Sequence, residues 1–415
     1  MRRMSRDFRM LALGQGLSWL GNGFQTVALA VAILLAGGGA GDLGLVMAAS
    51  VVAMLAGTLF GGVWADRMQP QRVMVLSDIV RAAAATGIAL VFGTGHYALP
   101  LIMVLAAASA GAGAFFGPAF TSLKPMLVPA DQRQAANATL SLLQTSCAVL
   151  GPALGGLVVA RFGATTGFTV NAISFVVSTV TALLIRVRVT RPPREGMLRE
   201  LGAGWLEIRR RDWLLVGVLA ATVYHIANGV VLVLVQVLAI ERLGGASAAG
   251  LVAAAEGLGG VVGAAVGMRF KPRRLLRAGW LTLLLMPVWV LVYVWPGVLT
   301  AVAAGAVVGY AGLAFFSVAW DTALQDHIPH DRLARVASWD MLTSFLAMPI
   351  GNALAGPLAS TFGYDPVLTV CALVLLGAGI APLAVAGTRR LVRSTVEIAP
   401  TPRPSPESAE AGIPS

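Results

Sequence analysis

Charged residues are scarce in this 415-residue sequence: they make up only 12% of it, against about 25% in a typical soluble protein. The chain has two cysteines, Cys147 and Cys371, and both lie in apolar stretches, so no disulfide framework is indicated. Its only lysines, Lys124 and Lys271, are each followed by proline, which excludes the Gly-Lys-Ser/Thr phosphate loop of an ATP-driven pump from this chain. Neither His-Glu-x-x-His nor Gly-x-Ser-x-Gly occurs. An ordinary cytosolic enzyme is therefore excluded.

Long apolar stretches fill most of the chain, which is 57% apolar and has a mean hydropathy of +0.80. A transmembrane helix needs about 20 mostly apolar residues. Twelve such stretches occur, at residues 10–36, 42–64, 73–93, 98–121, 136–160, 164–185, 213–240, 247–268, 275–295, 298–320, 336–360 and 364–387. The first is too long for the apolar part of a signal peptide, so we expect it to be retained. The sequence predicts an all-α integral membrane protein with twelve transmembrane helices.

Positive charge is concentrated in one set of loops. When the N terminus is placed in the cytoplasm, 27 of the 30 Lys and Arg residues fall in cytoplasmic segments; the exceptions are Arg161 and Arg242 in outer loops and Arg81 within a span. Cytoplasmic loops carry the Lys/Arg excess, so both termini are predicted to lie inside the cytoplasmic membrane. The formal charge of +11 is thereby explained without a nucleic-acid partner.

The two halves of the chain resemble each other at a fixed offset. A shift of 200 residues matches Phe115-Phe116 to Phe315-Phe316, Pro129 and Asp131 to Pro329 and Asp331, Gly151 and Gly156 to Gly351 and Gly356, and Phe162-Gly163 to Phe362-Gly363. Because each half has an even number of spans, the halves are predicted to be parallel repeats. We expect a six-helix bundle at 1–186, a cytoplasmic linker at 187–212, a second six-helix bundle at 213–388 and a disordered cytoplasmic tail at 389–415.

A charged signature lies between the second and third spans. The segment Gly61-Gly62-Val63-Trp64-Ala65-Asp66-Arg67-Met68-Gln69-Pro70-Gln71-Arg72 resembles the signature of the major facilitator superfamily, and Asp78 and Arg81 extend it along one helix face. The resemblance implies the two-bundle fold of that superfamily. It also implies a latch that holds the halves together on the cytoplasmic side during alternating access. The latch residues carried over in this way are Asp66, Arg67, Arg72, Asp78 and Arg81.

The fifth span carries a second signature. Gly151-Pro152-Ala153-Leu154-Gly155-Gly156 resembles the Gly-Pro-x-x-Gly-Gly motif of the superfamily's antiporters. Pro152 frees a backbone carbonyl and bends the helix, whereas Gly155 and Gly156 allow close contact with a neighbouring helix. Such a helix can seal a leak around a moving interface, and simple helix packing is the alternative interpretation.

Few ionisable groups lie far from water, and these are the candidate proton and substrate residues. Glu256 falls in the middle of the eighth span, where a charge costs about 2.5–3.5 kcal/mol, so it can load and release a proton as a cavity opens alternately. His225 and Asn228 share one face of the seventh span and could relay protons or bind substrate. Asn22 and Gln25 in the first span could line the same cavity. For each of these residues, a plain packing role remains open.

Four acids fall near the predicted ends of the tenth and eleventh spans: Asp321, Asp326, Asp331 and Asp340. At span ends, headgroups and water solvate a charge. We therefore expect these four acids to be solvated.

The motif Phe116-Gly117-Pro118-Ala119 makes the chain similar to the branch that contains macrolide efflux proteins and the enterobactin exporter, although Asn22 stands where that branch often has an acid. The resemblance implies a secondary transporter rather than an enzyme, and favours export of a small amphipathic drug or natural product against proton entry. No cofactor or metal is expected, since the proton gradient supplies the energy. The expected partners are the substrate, protons and the lipid bilayer, and the carrier is expected to function as a monomer. Proton-linked uptake and a non-transporting receptor or sensor remain alternatives.

Overall fold

A computed structural model describes residues 5–65, 68–129, 132–185, 208–270, 272–295 and 297–392. All regular structure in these residues is helical. The helices are α1 (Arg6–Leu35), α2 (Ala40–Ala65), α3 (Pro70–Gly93), α4 (Leu99–Leu123), α5 (Arg133–Phe162), α6 (Ala164–Leu183), α7 (Asp212–Leu243), α8 (Gly245–Arg269), α9 (Leu275–Leu283), α10 (Leu285–Val294), α11 (Leu299–His327), α12 (His330–Phe362), α13 (Tyr364–Ala384) and the short α14 (Ala386–Arg390), with a 3-10 turn at Lys124–Met126.

Eleven segments of the described chain are long and apolar enough to cross a membrane, with α9 and α10 together forming one of them. The predicted eleventh span corresponds to α12, which has 33 residues and is therefore about 50 Å long, well beyond the ~30 Å hydrocarbon core. The prediction of an all-α membrane protein is confirmed. Of the predicted linker and tail, residues 187–207 and 393–415 lie outside the described residues.

Three predicted spans differ from the observed helices. The stretch at 275–295 is not one helix, because Leu284 separates α9 from α10. Pro287 explains the break: it has no amide hydrogen to donate to the carbonyl of Leu283, and its ring would clash with that group. The tenth span was predicted to end at 320 and the eleventh to begin at 336, but α11 runs to His327 and α12 begins at His330.

Glycine turns show the sequence repeat in three dimensions. Gly163 joins α5 to α6 with φ +85°, and Gly363 joins α12 to α13 with φ +82°. Only glycine adopts such angles without strain, so the same turn is built at both positions 200 residues apart. Consecutive helices are antiparallel, so these turns lie at one end of the protein, the glycine-turn end. Leu183 and Asp212 lie at the opposite end, the linker end.

The two halves touch through close helix contacts at the glycine-turn end. Helix α5 packs on α8, and α2 packs on α12. A methyl group built on Gly156 would lie 2.8 Å from the Cα atom of Gly250, and one built on Gly41 would lie 3.8 Å from the Cα atom of Gly356. Gly156 and Gly356 are repeat partners, so both halves use an equivalent glycine to approach the other half.

Candidate functional site

The Gly-Pro-x-x-Gly-Gly segment of α5 contacts helices on both sides. Within its own half, a methyl group on Gly155 would lie 2.8 Å from the Cα atom of Phe24. Across the interface, a methyl group on Gly156 would lie 2.7 Å from the carbonyl oxygen of Ala246. Side chains at these glycines would push the helices apart. The structure therefore places the motif at the junction of the two halves.

Pro152 adds a further contact at this junction. It lies inside α5 and cannot donate to the carbonyl of Ala148, four residues earlier. That free carbonyl faces Gly257 of α8, where an added methyl group would lie 2.7 Å from its oxygen. Gly257 is the neighbour of Glu256 in the sequence, so the proline contact and the intramembrane acid occupy the same stretch of the interface.

Glu256 lines a small cavity of about 50 Å³ between the halves. First-half residues Thr26 and Ala30 form one wall, and second-half residues including Gln236 and Tyr293 form the others. The carboxyl group is half-buried and has the Tyr310 hydroxyl as its hydrogen-bonding neighbour. A single acid thus lies mid-membrane at the boundary where relative movement of the halves would change its surroundings.

The other four residues of the predicted proton and substrate set do not reach this cavity. His225 lines a larger cavity within the second half, where its Nδ1 atom lies 2.7 Å from the carbonyl oxygen of Ala221. Asn228 is buried and lines neither cavity. Asn22 and Gln25 belong to a polar network in the first half. The structure therefore separates the set of five residues into four places.

That first-half network begins with a buried ion pair. Arg81 donates to Asp78 at 3.2 Å and to the carboxamide oxygen of Asn22 at 3.2 Å. Its guanidinium group lies 4.0 Å from the ring centre of Phe175. Asp78 is fully buried, and the pair ties α3 to α1 and α6. The charges of Asp78 and Arg81 are therefore paired with each other within one half.

Carboxamide and hydroxyl groups continue the network along α1 and α6. Asn171 donates to the side-chain oxygen of Gln25, and Ser174 donates to the backbone carbonyl of Asn171 at 2.7 Å. Gly21 allows this close approach, because a methyl group there would lie 2.6 Å from the carboxamide oxygen of Asn171. The network thus joins the polar side chains of α1 to α6.

The predicted latch is described only in part. Asp66 and Arg67 lie outside the described residues. Arg72 is exposed at the start of α3. Among the described residues, Asp78 and Arg81 contact first-half side chains. The latch role of the five residues stays a prediction.

Polar contacts also close the glycine-turn end. Tyr97 donates to the Asp42 carboxylate at 2.8 Å, and burial together with that carboxylate raises the pKa of the Tyr97 phenol. In the second half, Arg242 pairs with Asp365 at 2.6 Å, with both side chains more than 40% exposed. Each of these contacts stays within one half.

The larger second-half cavity was not expected from the sequence. It has a volume of about 330 Å³ and lies between α7, α9, α11 and α12, nearer the linker end. Asp321 and Asp340 line it. The prediction that they are merely solvated at span ends is wrong for Asp340, because α12 begins at His330 and places this acid about 15 Å along the helix. The prediction failed because α12 begins at His330, six residues before the predicted start of the eleventh span at 336.

Comparison with known proteins identifies the family. The sequence model described as Major Facilitator Superfamily matches residues 11–268. The chain belongs to this superfamily. Its relatives include the multidrug efflux pump Tap of Mycolicibacterium fortuitum, 28% identical over 388 residues that cover 89% of this chain and 93% of that protein. Macrolide efflux protein A of Enterococcus faecalis is 22% identical over 187 residues, covering 43% of this chain and 58% of that protein.

Solved structures show the same superfamily fold. The nucleoside transporter NupG matches with a TM-score of 0.73 at 10% identity, over 91% of this chain and 98% of that one. A bacterial homologue of the iron transporter ferroportin in an inward-facing state matches with a TM-score of 0.71 at 18% identity, over 93% and 99%. This superfamily member is a multi-pass membrane transporter with homology to multidrug efflux pumps, and the resemblance inferred from its motifs is confirmed.

Proposed function

We propose that this transporter exports small amphipathic molecules across the cytoplasmic membrane in exchange for protons by alternating access. The observation that carries the proposal is the position of Glu256, a lone carboxyl group in a small cavity between the two halves. The identity to Tap over most of both chains supports export of drug-like molecules.

Glu256 has the properties that proton exchange requires. A carboxylate at the membrane centre costs about 2.5–3.5 kcal/mol, so the neutral acid is favoured while the surrounding helices exclude water. When the halves separate on one side, water reaches the cavity and the proton can leave. Tyr310 holds the carboxyl group in place through its hydroxyl. Movement of the interface is thereby coupled to loading and release of one proton.

The packing of the halves supports alternating access. They contact one another through Gly156, Gly250, Gly41 and Gly356 at the glycine-turn end. The large cavity lies nearer the linker end. With the Lys/Arg-rich loops placed inside, the linker end faces the cytoplasm. This arrangement is closed outward and suits loading of a substrate from the cytoplasm.

One proton supplies enough energy for useful export. Entry down a membrane potential of 100 mV releases about 2.3 kcal/mol, and one pH unit adds about 1.4 kcal/mol. The total of roughly 3.7 kcal/mol supports a gradient of about 500-fold for a neutral substrate exchanged one for one. A single titrating carboxyl group is therefore sufficient.

Inside-out membrane vesicles test the proposal. With an acidic lumen, vesicles containing the wild-type protein are expected to accumulate radiolabelled chloramphenicol or ethidium above vesicles that lack it. Glu256→Gln keeps the size of the side chain but cannot carry the proton, so it should abolish pH-driven accumulation and preserve downhill exchange. Glu241→Gln, which changes an exposed acid at the end of α7, is the matched control and should behave as wild type.

Each contrary result has a distinct meaning. Unchanged pH dependence in the Glu256→Gln variant excludes this residue as the proton carrier. Accumulation only under the opposite gradient indicates uptake instead of export. Specific binding of the probes with no flux under either gradient indicates a receptor and overturns the proposal.

A further inference from the structure

The second-half cavity combines aromatic rings with two acids. Trp280 and Phe316 have ring centres 4.5 Å apart, and each ring centre lies 6.1 Å from that of Trp320. The Nε1 atom of Trp320 donates to Asp340 at 2.9 Å, which fixes both side chains. Asp321 lines the same cavity, close enough to Asp340 for their charges to interact.

The two carboxylates have no positive partner within the described protein. Among the described residues, neither Asp321 nor Asp340 forms an ion pair, and the two repel each other. Acids inside a membrane protein normally pair with a cation or serve a substrate pathway. A positively charged ligand in the cavity would offset the repulsion between Asp321 and Asp340.

Two buried side chains at this cavity each have a polar atom without a hydrogen-bond partner among the described residues. The Trp280 side chain is 1% exposed and that of Tyr224 is 4% exposed, and both line the cavity. The Trp280 Nε1 atom and the Tyr224 hydroxyl have no hydrogen-bond partner among the described residues. Unsatisfied buried groups of this kind are costly, and a bound ligand with polar atoms can satisfy them.

We propose, building on the proposed function, that this cavity binds amphipathic aromatic cations, with Asp321 and Asp340 matching the positive charge and the half-buried ring of Phe316 stacking on the ligand. A cation within about 6 Å of the centre of an aromatic ring is attracted to the face of that ring. At about 330 Å³ the cavity lies at the lower end of the range for ligand pockets, which suits one compact polycyclic ion.

The cavity also has a physical connection to Glu256. Tyr224 lines the cavity and packs in the same hydrophobic cluster as Tyr310, whose hydroxyl is the neighbour of the Glu256 carboxyl. A cation bound beside Tyr224 would therefore be separated from Glu256, the proposed proton carrier, by the phenol groups of Tyr224 and Tyr310. This connection gives the substrate charge a route by which to influence proton release.

Ethidium binding to the purified full-length protein tests the inference without any gradient. Asp321→Asn is expected to weaken ethidium binding about tenfold, measured by fluorescence anisotropy, because it removes one of the two acidic charges. Asp365→Asn removes an acid from the exposed glycine-turn end and should leave the affinity unchanged. Binding of the neutral molecule chloramphenicol, measured by equilibrium dialysis, should be the same in all three proteins.

A second pair of variants tests the ring. Phe316→Leu should weaken ethidium binding at least threefold, whereas Phe316→Tyr retains an aromatic face and should recover most of the affinity. Size-exclusion profiles and melting temperatures identify any variant that fails to fold, and Asp321→Asn then carries the test because its residue is exposed. Equal losses for ethidium and chloramphenicol, or no loss in Asp321→Asn, would overturn the inference.

These results are separable from those on the proposed function. Binding that depends on Asp321, in a protein with no flux under any gradient, supports the cation site and contradicts export. Proton-driven flux of ethidium with wild-type affinity in Asp321→Asn supports export and contradicts the cation site. A change in the pH dependence of chloramphenicol transport in Asp321→Asn assigns this acid to the proton path and also contradicts the inference.

Discussion

The two halves share a sequence repeat and a helix arrangement, yet they treat their buried polar groups differently. In the first half, Arg81 satisfies Asp78 and Asn22, and the network fixes three helices to one another. In the second half, Glu256 and the acids of the larger cavity have no cation partner among the described residues. Pairing builds a rigid support, whereas unpaired acids facing cavities can bind protons and cations. The fold is repeated but the chemistry is not.

The largest loss of stability is expected from removing Arg81, the cation of the first-half ion pair. Arg81→Met leaves the fully buried Asp78 without its cationic partner, which is expected to cost about 3–5 kcal/mol. The melting temperature of the detergent-purified protein would fall sharply. Glu256→Gln, by contrast, removes an acid that has no cation partner among the described residues, and should leave the melting temperature near that of wild type.

A double variant serves as the control for this expectation. Asp78→Leu combined with Arg81→Met removes both charges and should recover much of the lost stability, because an apolar replacement of a buried pair is often neutral. If the single and double variants melt at the same temperature, the ion pair does not account for the stability of the first half.

An intermediate effect is expected from the carboxamide contacts. Asn171→Leu removes the donor to Gln25 and should cost about 0.6–1.7 kcal/mol, the range measured for hydrogen bonds between membrane helices. Asn228→Leu in the second half is the matched change, because the Asn228 carboxamide oxygen has no described partner. It should cost less in the same melting measurement. A reversed order would show that the described contacts do not explain the difference between the halves.

Sequence patterns predicted the architecture better than the site. Long apolar runs defined twelve spans, and the repeat placed Gly156 and Gly356 at equivalent positions that the structure shows at the interface between the halves. The break at Leu284 was missed, because Pro287 in the middle of an apolar run looks the same as a tolerated kink. Hydropathy alone hides such local backbone changes.

The cavity acids were missed for a related reason. Asp321 and Asp340 are 19 residues apart in sequence, and hydropathy ended the tenth span before both of them. The polar helix surfaces here face a cavity rather than lipid, so a helix can continue where apolarity stops. Glu256 was recognised because it interrupts an apolar run, but its tyrosine neighbours lie on other helices. Sequence patterns alone do not show that an acid and tyrosines from different helices lie next to one another.

The smallest effect is expected at the exposed ion pair of the second half. Arg242 and Asp365 are only 2.6 Å apart, yet both side chains are more than 40% exposed. Because water and salt screen such a pair, Arg242→Gln should lower stability by no more than about 1 kcal/mol, and added salt should shrink the difference in melting temperature from wild type. A loss as large as that of Arg81→Met would mean that distance, not burial, decides what an ion pair contributes here. The difference in stability effects between the two halves would then depend on how many close contacts each half has, and not on how deeply those contacts are buried.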